Sequence, residues 1–381
     1  MAPLSLLILM LLGLVCSGAG ADGIVDGGRH GQPRFSRIFS FGDSLADTGN
    51  ALRILGARAT ISRPPYGETF FGRPSGRASD GRIMIDFIVV VVHVRSRSYG
   101  SGVAQPTVYL AGKTAADFRR GVNFAVGGGT ALEPEFFERR GLKLFVPVSL
   151  RNQTPGSRMF CSVLARFMRN ITATSLFVVG EIGANDYLIG LTGNRTLGEL
   201  KTFVPLIIGT IHSAVTHARC WSRGSYRLDA NRSSWLYQGR VDDAGGYDPE
   251  SGCITWLNGL AELHNRELRR ILAGLRRAHP GTAIVYADLY RAITDLIVSP
   301  TRYGFRDRPL VVCCGAGGGD YNFDAAATCG AAGTAACADP SEYVSWDGVH
   351  FTEAANRRIA CAVLERSGII TEAGRRRIRC D

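Results

Sequence analysis

The chain reads as an α/β protein built on an open, mostly parallel sheet. Two patterns predict this. Short apolar runs at residues 38–41, 121–126, 176–179 and 283–287 each end in glycine or small polar residues, the habit of a buried strand. Between the later runs lie longer stretches with apolar residues at helical spacing, from about Leu200 to Val215 and from Thr255 to Leu275. Strands alternating with helices favour parallel pairing, because each strand must return to the same end of the sheet before the next begins. The 381 residues are 45% hydrophobic, enough for a sizeable core in one domain with long insertions.

The chain opens with Met-Ala-Pro, an apolar run from Leu4 to Val15, and then small residues ending in Ala19-Gly20-Ala21. Residues 1–21 read as a secretory signal peptide with a small-x-small cleavage site, although the first residues lack Lys or Arg. Neither this run nor any later one is long enough to span a bilayer comfortably. A soluble, secreted mature protein is expected. Asn-x-Ser/Thr triplets begin at Asn152, Asn170, Asn194 and Asn231, and the first three are taken as glycosylation candidates.

Ten cysteines include Cys16, which would leave with the leader. Cys313, Cys314, Cys329 and Cys337 cluster in a Gly/Ala-rich stretch, a pattern of loop-stapling disulfides in an oxidising compartment. Zinc is the alternative, but no C-x-x-C pair or nearby histidine completes a site. The net charge is +11, with arginine scattered rather than interleaved with aromatics, so nucleic-acid binding is not indicated. A secreted cation can adhere to acidic cell-wall polysaccharide, and a basic surface also exists without any partner.

The stretch that organises the chain is Arg37 to Asn50. Ile38, Phe39 and Phe41 form a short strand, and Gly42, Asp43 and Ser44 follow where it stops. In open α/β sheets, chemistry sits at the carboxyl ends of strands. A serine there, opening a helix, exposes its hydroxyl and points its backbone N–H at the same space, as a nucleophile and an oxyanion donor require. The alternative is a plain helix N-cap. The architecture recurs. Gly121 to Thr130 is an apolar strand ending in Gly127, Gly128 and Gly129, where the backbone can approach a ligand closely. Ser175 to Tyr187 is an apolar strand followed by Gly183, Ala184, Asn185 and Asp186. Asn185 reads either as an amide donor or as a helix cap. His264 lies on the amphipathic stretch 255–275 and reads as structural. Near the C-terminus, Asp347 and His350 stand three residues apart, just before a helix.

Phe41-Gly-Asp-Ser-Leu-Ala-Asp-Thr-Gly-Asn50 resembles the signature of the GDSL esterase/lipase family, the SGNH hydrolases, in its plant secreted branch. It is not the G-x-S-x-G elbow, because position 46 is Ala. The glycine block, Gly183-Ala-Asn-Asp186 and Asp347-x-x-His350 resemble further family blocks, in order and at family spacing. The resemblance implies a three-layer α/β/α sandwich, flavodoxin-like, as a single domain over residues 35–370. It implies a serine esterase without metal or cofactor: Ser44 as nucleophile, His350 as base, Asp347 as its orienting partner. The oxyanion hole would comprise the Ser44 and Gly128 N–H groups and the Asn185 side chain. Gly129 replaces the more usual Ala of this branch. The expected substrate is a small-molecule ester. With no long apolar lid in the sequence, short or aromatic acyl groups are favoured over triacylglycerol. Two other classes stay open: a non-catalytic glycan- or lipid-binding homologue, and an acyltransferase using the same site.

Two segments depart from the family. Residues 89–105 begin with four valines and continue as an Arg/Ser run, which fits neither a helix continuation nor the family; an inserted segment or an extra strand and loop is expected. Residues 217–236 stand where alternation calls for a buried strand, yet they carry four arginines and no apolar run. This segment is expected to loop out, because burying an unpaired charge costs several kcal/mol. The sequence Arg227 to Leu236 can be encoded so that a start one nucleotide earlier reads Pro-Leu-Gly-Cys-Glu-Pro-Gln-Leu-Leu-Ala, the Pro-x-Gly-Cys block the family places here. An out-of-frame segment is therefore expected, with a genuine divergent loop as the alternative.

Overall fold

A computed structural model describes residues 6–10, 35–92, 105–154, 175–217 and 246–380, apart from 36, 115, 281, 325 and 371. The strands of the central sheet are β1 (Leu6–Met10), β2 (Arg37–Phe41), β3 (Thr107–Val108), β4 (Gly121–Asn123), β5 (Ser175–Val179) and β6 (Thr282–Tyr286). They form one six-stranded sheet in the order β3-β4-β2-β5-β1-β6, and every pairing is parallel. The middle strands are dry on both faces: Ile38, Phe39, Ser40 and Phe41 of β2 are buried, as is all of β5. Phe39 lies opposite Phe177 across the β2–β5 pair, with ring centroids 4.9 Å apart. A strand buried on both faces reads as a continuous apolar run, which is why these segments were legible.

Helices flank the sheet in two groups. On one side, α1 (Asn50–Leu55) follows the β2 loop, and α2 (Met84–Val92) packs against two C-terminal helices that are labelled below. Next in the chain come α3 (Pro134–Glu138), α4 (Leu150–Gln153), α5 (Ala184–Thr192), α6 (Leu197–His217) and α7 (Thr255–Ala278). Then follow α8 (Leu289–Val298), α9 (Glu353–Arg366) and α10 (Glu372–Ile378). Helix α6 packs on α4, α5 and α7, whereas α9 packs on α2, α8 and α10. The result is the three-layer α/β/α architecture that the sequence predicts. Helix α6 runs slightly beyond its expected limits, and α7 matches its apolar stripe, with Leu257, Leu260, Leu268, Leu272 and Leu275 all buried.

Three sequence expectations meet a different outcome or fall outside the described residues. Val89 to Val92 do continue a helix, contrary to expectation. Tertiary burial outweighs the β-preference of valine here: Val89 and Val91 are buried in the main core. The helix start is pinned by Asp86, which accepts from Ile83 N at 2.9 Å and pairs with Arg77 at 2.7 Å. The Arg/Ser run that follows, 93–104, lies outside the described residues. Residues 218–236 also lie outside them, and His217 ends α6. The sheet position between β5 and β6 is taken instead by β1, from the stretch read as a leader, with Leu6 opposite Thr282 and Met10 opposite Tyr286. A parallel strand at that position requires a continuous apolar run, and Leu-Leu-Ile-Leu-Met is one.

The clustered cysteines form two disulfides, Cys313–Cys337 and Cys314–Cys329. A third, Cys361–Cys380, ties α9 to the end of the chain and was not assigned from the sequence. Among the described residues no helix is long and apolar enough to cross a membrane. Asn152 and Asn194 are exposed, while Asn170 and Asn231 lie outside the described residues.

Candidate active site

Strand β2 delivers Ser44 to the carboxyl edge of the sheet. The chain leaves β2 through Gly42, at φ 147°, where an added Cβ would stand 2.7 Å from the Gly180 carbonyl oxygen. Only glycine lets the loop pass so close to the β5 exit. Gln153 then clamps the same residue on both sides: its Oε1 accepts from Gly42 N at 2.8 Å, and its Nε2 donates to Gly42 O at 2.9 Å. Asp43 N donates to Glu181 O at 2.9 Å. Ser44 sits in a single helical turn closed by Asp47 N on Asp43 O, and α1 begins only at Asn50. The helix expected directly after Ser44 is thus one turn, interrupted where the Asp47 side chain captures backbone donors.

Asp47 ties this turn to the glycine block. Its buried carboxylate accepts from the N–H groups of Gly49, Asn50, Ala51 and Gly127 at 2.6–2.8 Å. Burial pushes its pKa up, against the downward pull of those donors. Gly127 is thereby held beside Ser44, its ideal Cβ position being 3.6 Å from Ser44 Cβ. Gly128 is at the left-handed φ of 81°, inside a turn closed by Gly129 N on Val126 O at 2.9 Å. An added Cβ at Gly128 would meet Phe145 Cβ at 3.0 Å.

The loop after β5 brings in Asn185. Gly183 takes the N-cap position of α5, so Asn185 does not cap that helix. Its Nδ2 donates to Gly129 O at 2.9 Å and makes a longer approach, 3.5 Å, to Asp43 Oδ2. Next to it, the Asp186 carboxylate accepts from Ala131 N and Leu132 N at 2.8 and 2.9 Å, fixing the far end of the glycine block. Burial raises the pKa of Asp186 to about 7 and that of Asp43 to about 7 as well.

The C-terminal pair closes the constellation. His350 Nε2 stands 2.9 Å from Ser44 Oγ, and His350 Nδ1 stands 2.7 Å from Asp347 Oδ2. Asp347 Oδ1 accepts from the backbone N–H of Val349 and of His350 at 2.9 and 2.8 Å. Burial pushes the Asp347 carboxyl up, but the His350 charge, its hydrogen bond and those two N–H groups outweigh this and leave it at about 2. Oδ2 also accepts from Tyr66 Oη at 2.8 Å. Ser44 is partly exposed, so the line Ser44–His350–Asp347 runs from the surface into the protein.

Of the residues named from the sequence, Ser44, His350 and Asp347 meet in one hydrogen-bonded line, Asn185 reaches Gly129 O and Asp43 next to Ser44, and Gly128 lies in the adjoining glycine turn. His264 stays apart; it is fully buried, with Nδ1 2.9 Å from Tyr187 Oη. Sequence reasoning missed Gln153, Asp47 and Tyr66. Each acts across the chain, Gln153 on a residue 111 positions away and Tyr66 on one 281 away. A local pattern carries no trace of such partners. Among the described residues no group of three or more His, Cys, Asp or Glu side chains could hold a metal.

The family model for the GDSL-like lipase/acylhydrolases matches residues 38–363, most of the chain and every block just described. The chain belongs to this family. Curated relatives agree. A GDSL esterase/lipase of Arabidopsis thaliana is 40% identical over 343 residues, covering 87% of this chain and 82% of its own length. A second from the same plant is 40% identical over 337 residues, 86% of this chain and 82% of its own. The sinapine esterase of Brassica napus is 37% identical over 348 residues, 87% of this chain and 85% of its own. This GDSL protein is accordingly a carboxylic ester hydrolase, and its substrates are esters.

Proposed function

We propose that this protein hydrolyses small-molecule carboxylic esters through an acyl-enzyme formed on Ser44. The observation that carries the reading is the continuous hydrogen-bonded line from Ser44 Oγ through His350 to Asp347, at 2.9 and 2.7 Å. In this reading His350 Nε2 takes the Ser44 proton as Oγ attacks the ester carbonyl. Asp347 holds the imidazole in the tautomer with Nδ1 protonated and stabilises the imidazolium that forms. The tetrahedral oxyanion is held by the N–H groups of Ser44 and Gly128 and by the Asn185 amide. His350 then returns the proton to the departing alcohol, and water, activated in the same way, releases the acid from Ser44. Short or aromatic acyl esters are the proposed substrates, and the similarity to a sinapine esterase supports a small ester of this kind.

The same reading takes residues 35–370 as one catalytic domain and 1–21 as a leader. The mature protein would be secreted, with glycans at Asn152, Asn170 and Asn194; three disulfides suit an oxidising compartment. Its net charge of +11 would favour retention on acidic wall polymer. Turnover of p-nitrophenyl acetate by the full chain and by Ser44→Ala tests the chemistry. The variant is expected to melt like the parent and to lose at least about 10³-fold in kcat, since the nucleophile itself is gone. More than a few per cent of parental turnover in Ser44→Ala would overturn the nucleophile assignment.

A further inference from the structure

Tyr66 belongs to neither the family's catalytic blocks nor the oxyanion hole, yet it touches the carboxylate that orients the base. It lies in the turn-rich stretch after a short 3-10 helix at Thr60–Ser62, and it is 2% exposed. Its ring stands edge-on to Trp346, with centroids 6.0 Å apart, and packs in a small separate core with Cys313, Cys314 and Cys329. Two disulfides pass through that core, so the ring is held by the stapled loop rather than by the sheet. From this seat Tyr66 Oη donates to Asp347 Oδ2 at 2.8 Å, the same oxygen that receives His350 Nδ1. The Thr60 side chain pulls the Tyr66 hydroxyl down, against the larger upward push of burial and the Asp347 charge.

We propose that Tyr66 is a positioning residue for hydrolysis: through Asp347 Oδ2 it fixes the orientation of the His350 imidazole and sets its basicity. The inference rests on the reading of Ser44, His350 and Asp347 given above. Orientation needs a third constraint because the two backbone donors to Asp347 hold only Oδ1. The carboxyl group can still rotate about that oxygen, and Tyr66 stops it. The electrostatic effect follows from the shared acceptor. A hydroxyl donor draws negative charge off Oδ2, so the carboxylate stabilises the imidazolium less and His350 loses its proton at lower pH. Thr60 reinforces this by favouring negative charge on the Tyr66 oxygen, which makes the phenol a better donor. Burial and the Asp347 charge hold the Tyr66 hydroxyl well above its ordinary range, so it remains a protonated donor throughout.

Among the described residues, the groups that face His350 include Asp347 on its own loop, Tyr66 behind that carboxylate, and Ser44 with Asp43 on the nucleophile turn. Asp186 and Asp47 act on Asp43 from behind. The acid limb of kcat/KM therefore belongs to His350 and Asp43 together.

The test compares pH profiles of kcat/KM for the full chain, Tyr66→Phe, Thr60→Ala and Ser44→Ala with p-nitrophenyl acetate. Tyr66→Phe keeps the ring and its packing and removes only the hydroxyl. It is expected to lower kcat about tenfold with KM little changed, and to move the acid limb upward by roughly half a pH unit. Thr60→Ala is expected to move the limb the same way by less. A structural role alone would lower the melting temperature without moving the limb. An acid limb in Tyr66→Phe that coincides with the parent or moves down overturns the proposal, and should that variant not fold, Thr60→Ala decides by the same criterion. The two readings separate cleanly: an active Ser44→Ala removes the catalytic reading itself, whereas an inactive Ser44→Ala with an unmoved Tyr66→Phe removes only the role of Tyr66.

Discussion

Replacing Asn185 with alanine probes the proposed oxyanion hole at the residue whose partners are best defined. The side-chain amide has two N–H groups. One is committed to Gly129 O at 2.9 Å; the other makes only a 3.5 Å approach to Asp43 Oδ2. The second is the one able to turn toward an oxyanion, and the first sets its direction. Losing a preorganised donor costs about 2.7–4 kcal/mol of transition-state stabilisation, or roughly 10²–10³ in kcat. Because that donor has little to do for the ground-state ester, KM should change little. The substitution also leaves the Gly129 carbonyl without this partner, at about 1–3 kcal/mol of stability. For a chain of this length that corresponds to a fall in melting temperature of about 1–4 °C. Steady-state kinetics on p-nitrophenyl acetate and a thermal melt read the two effects separately. An Asn185→Ala enzyme with parental kcat, or one whose whole loss lies in KM, would show that the amide merely binds substrate or braces Gly129.

Stability should peak on the acid side of neutrality. Asp43 and Asp186, raised from 3.8 to about 7 by burial, hold protons in the folded state that the unfolded chain has released, so stability falls as pH rises from about 4 to 7 and then levels. Asp347, lowered to about 2, contributes stability that is lost as pH falls from about 4 to 2. Scanning fluorimetry across pH 2 to 9 should give a maximum near pH 4, and a melting temperature that climbs steadily from 4 to 7 would refute the assignment. A chain lacking residues 1–21, the mature form in the proposed reading, should melt as the full chain does, with another segment taking the place of β1. Strand β1 is the partner of both β5 and β6, and among the described residues β6 has no other neighbour in the sheet. A lower or less cooperative melt would mean that Leu6–Met10 stays in the folded protein and is not part of a leader, and sequencing the mature message checks the coding of residues 217–236 independently.

The sequence by itself determined the fold class through local physics, and its family motifs pointed to the residues proposed for the site. A run such as Leu176–Val179 can only be a strand dry on both faces, and its polar ending must fall at the sheet edge where chemistry gathers. Ser44, Gly128 and Asn185 stand in the loops after such strands and the Asp347–His350 pair in the loop before α9, and each belongs to a motif within a few residues of itself. Tertiary structure alone decided the rest. The helicity of Val89–Val92 was set by burial against the C-terminal helices, which no local preference encodes. The turn at Ser44 is broken by an Asp47 carboxylate that also reaches Gly127, and the loop is clamped by Gln153. Tyr66 reaches Asp347 only because two disulfides and Trp346 fix its ring 281 positions away in the chain. The strand between β5 and β6 is likewise decided by the sheet: the position demands an apolar run from anywhere in the chain, and sequence order alone did not point to Leu6–Met10. Partners so distant in sequence become neighbours only when the whole core closes, and their hydrogen bonds then cost little further ordering entropy.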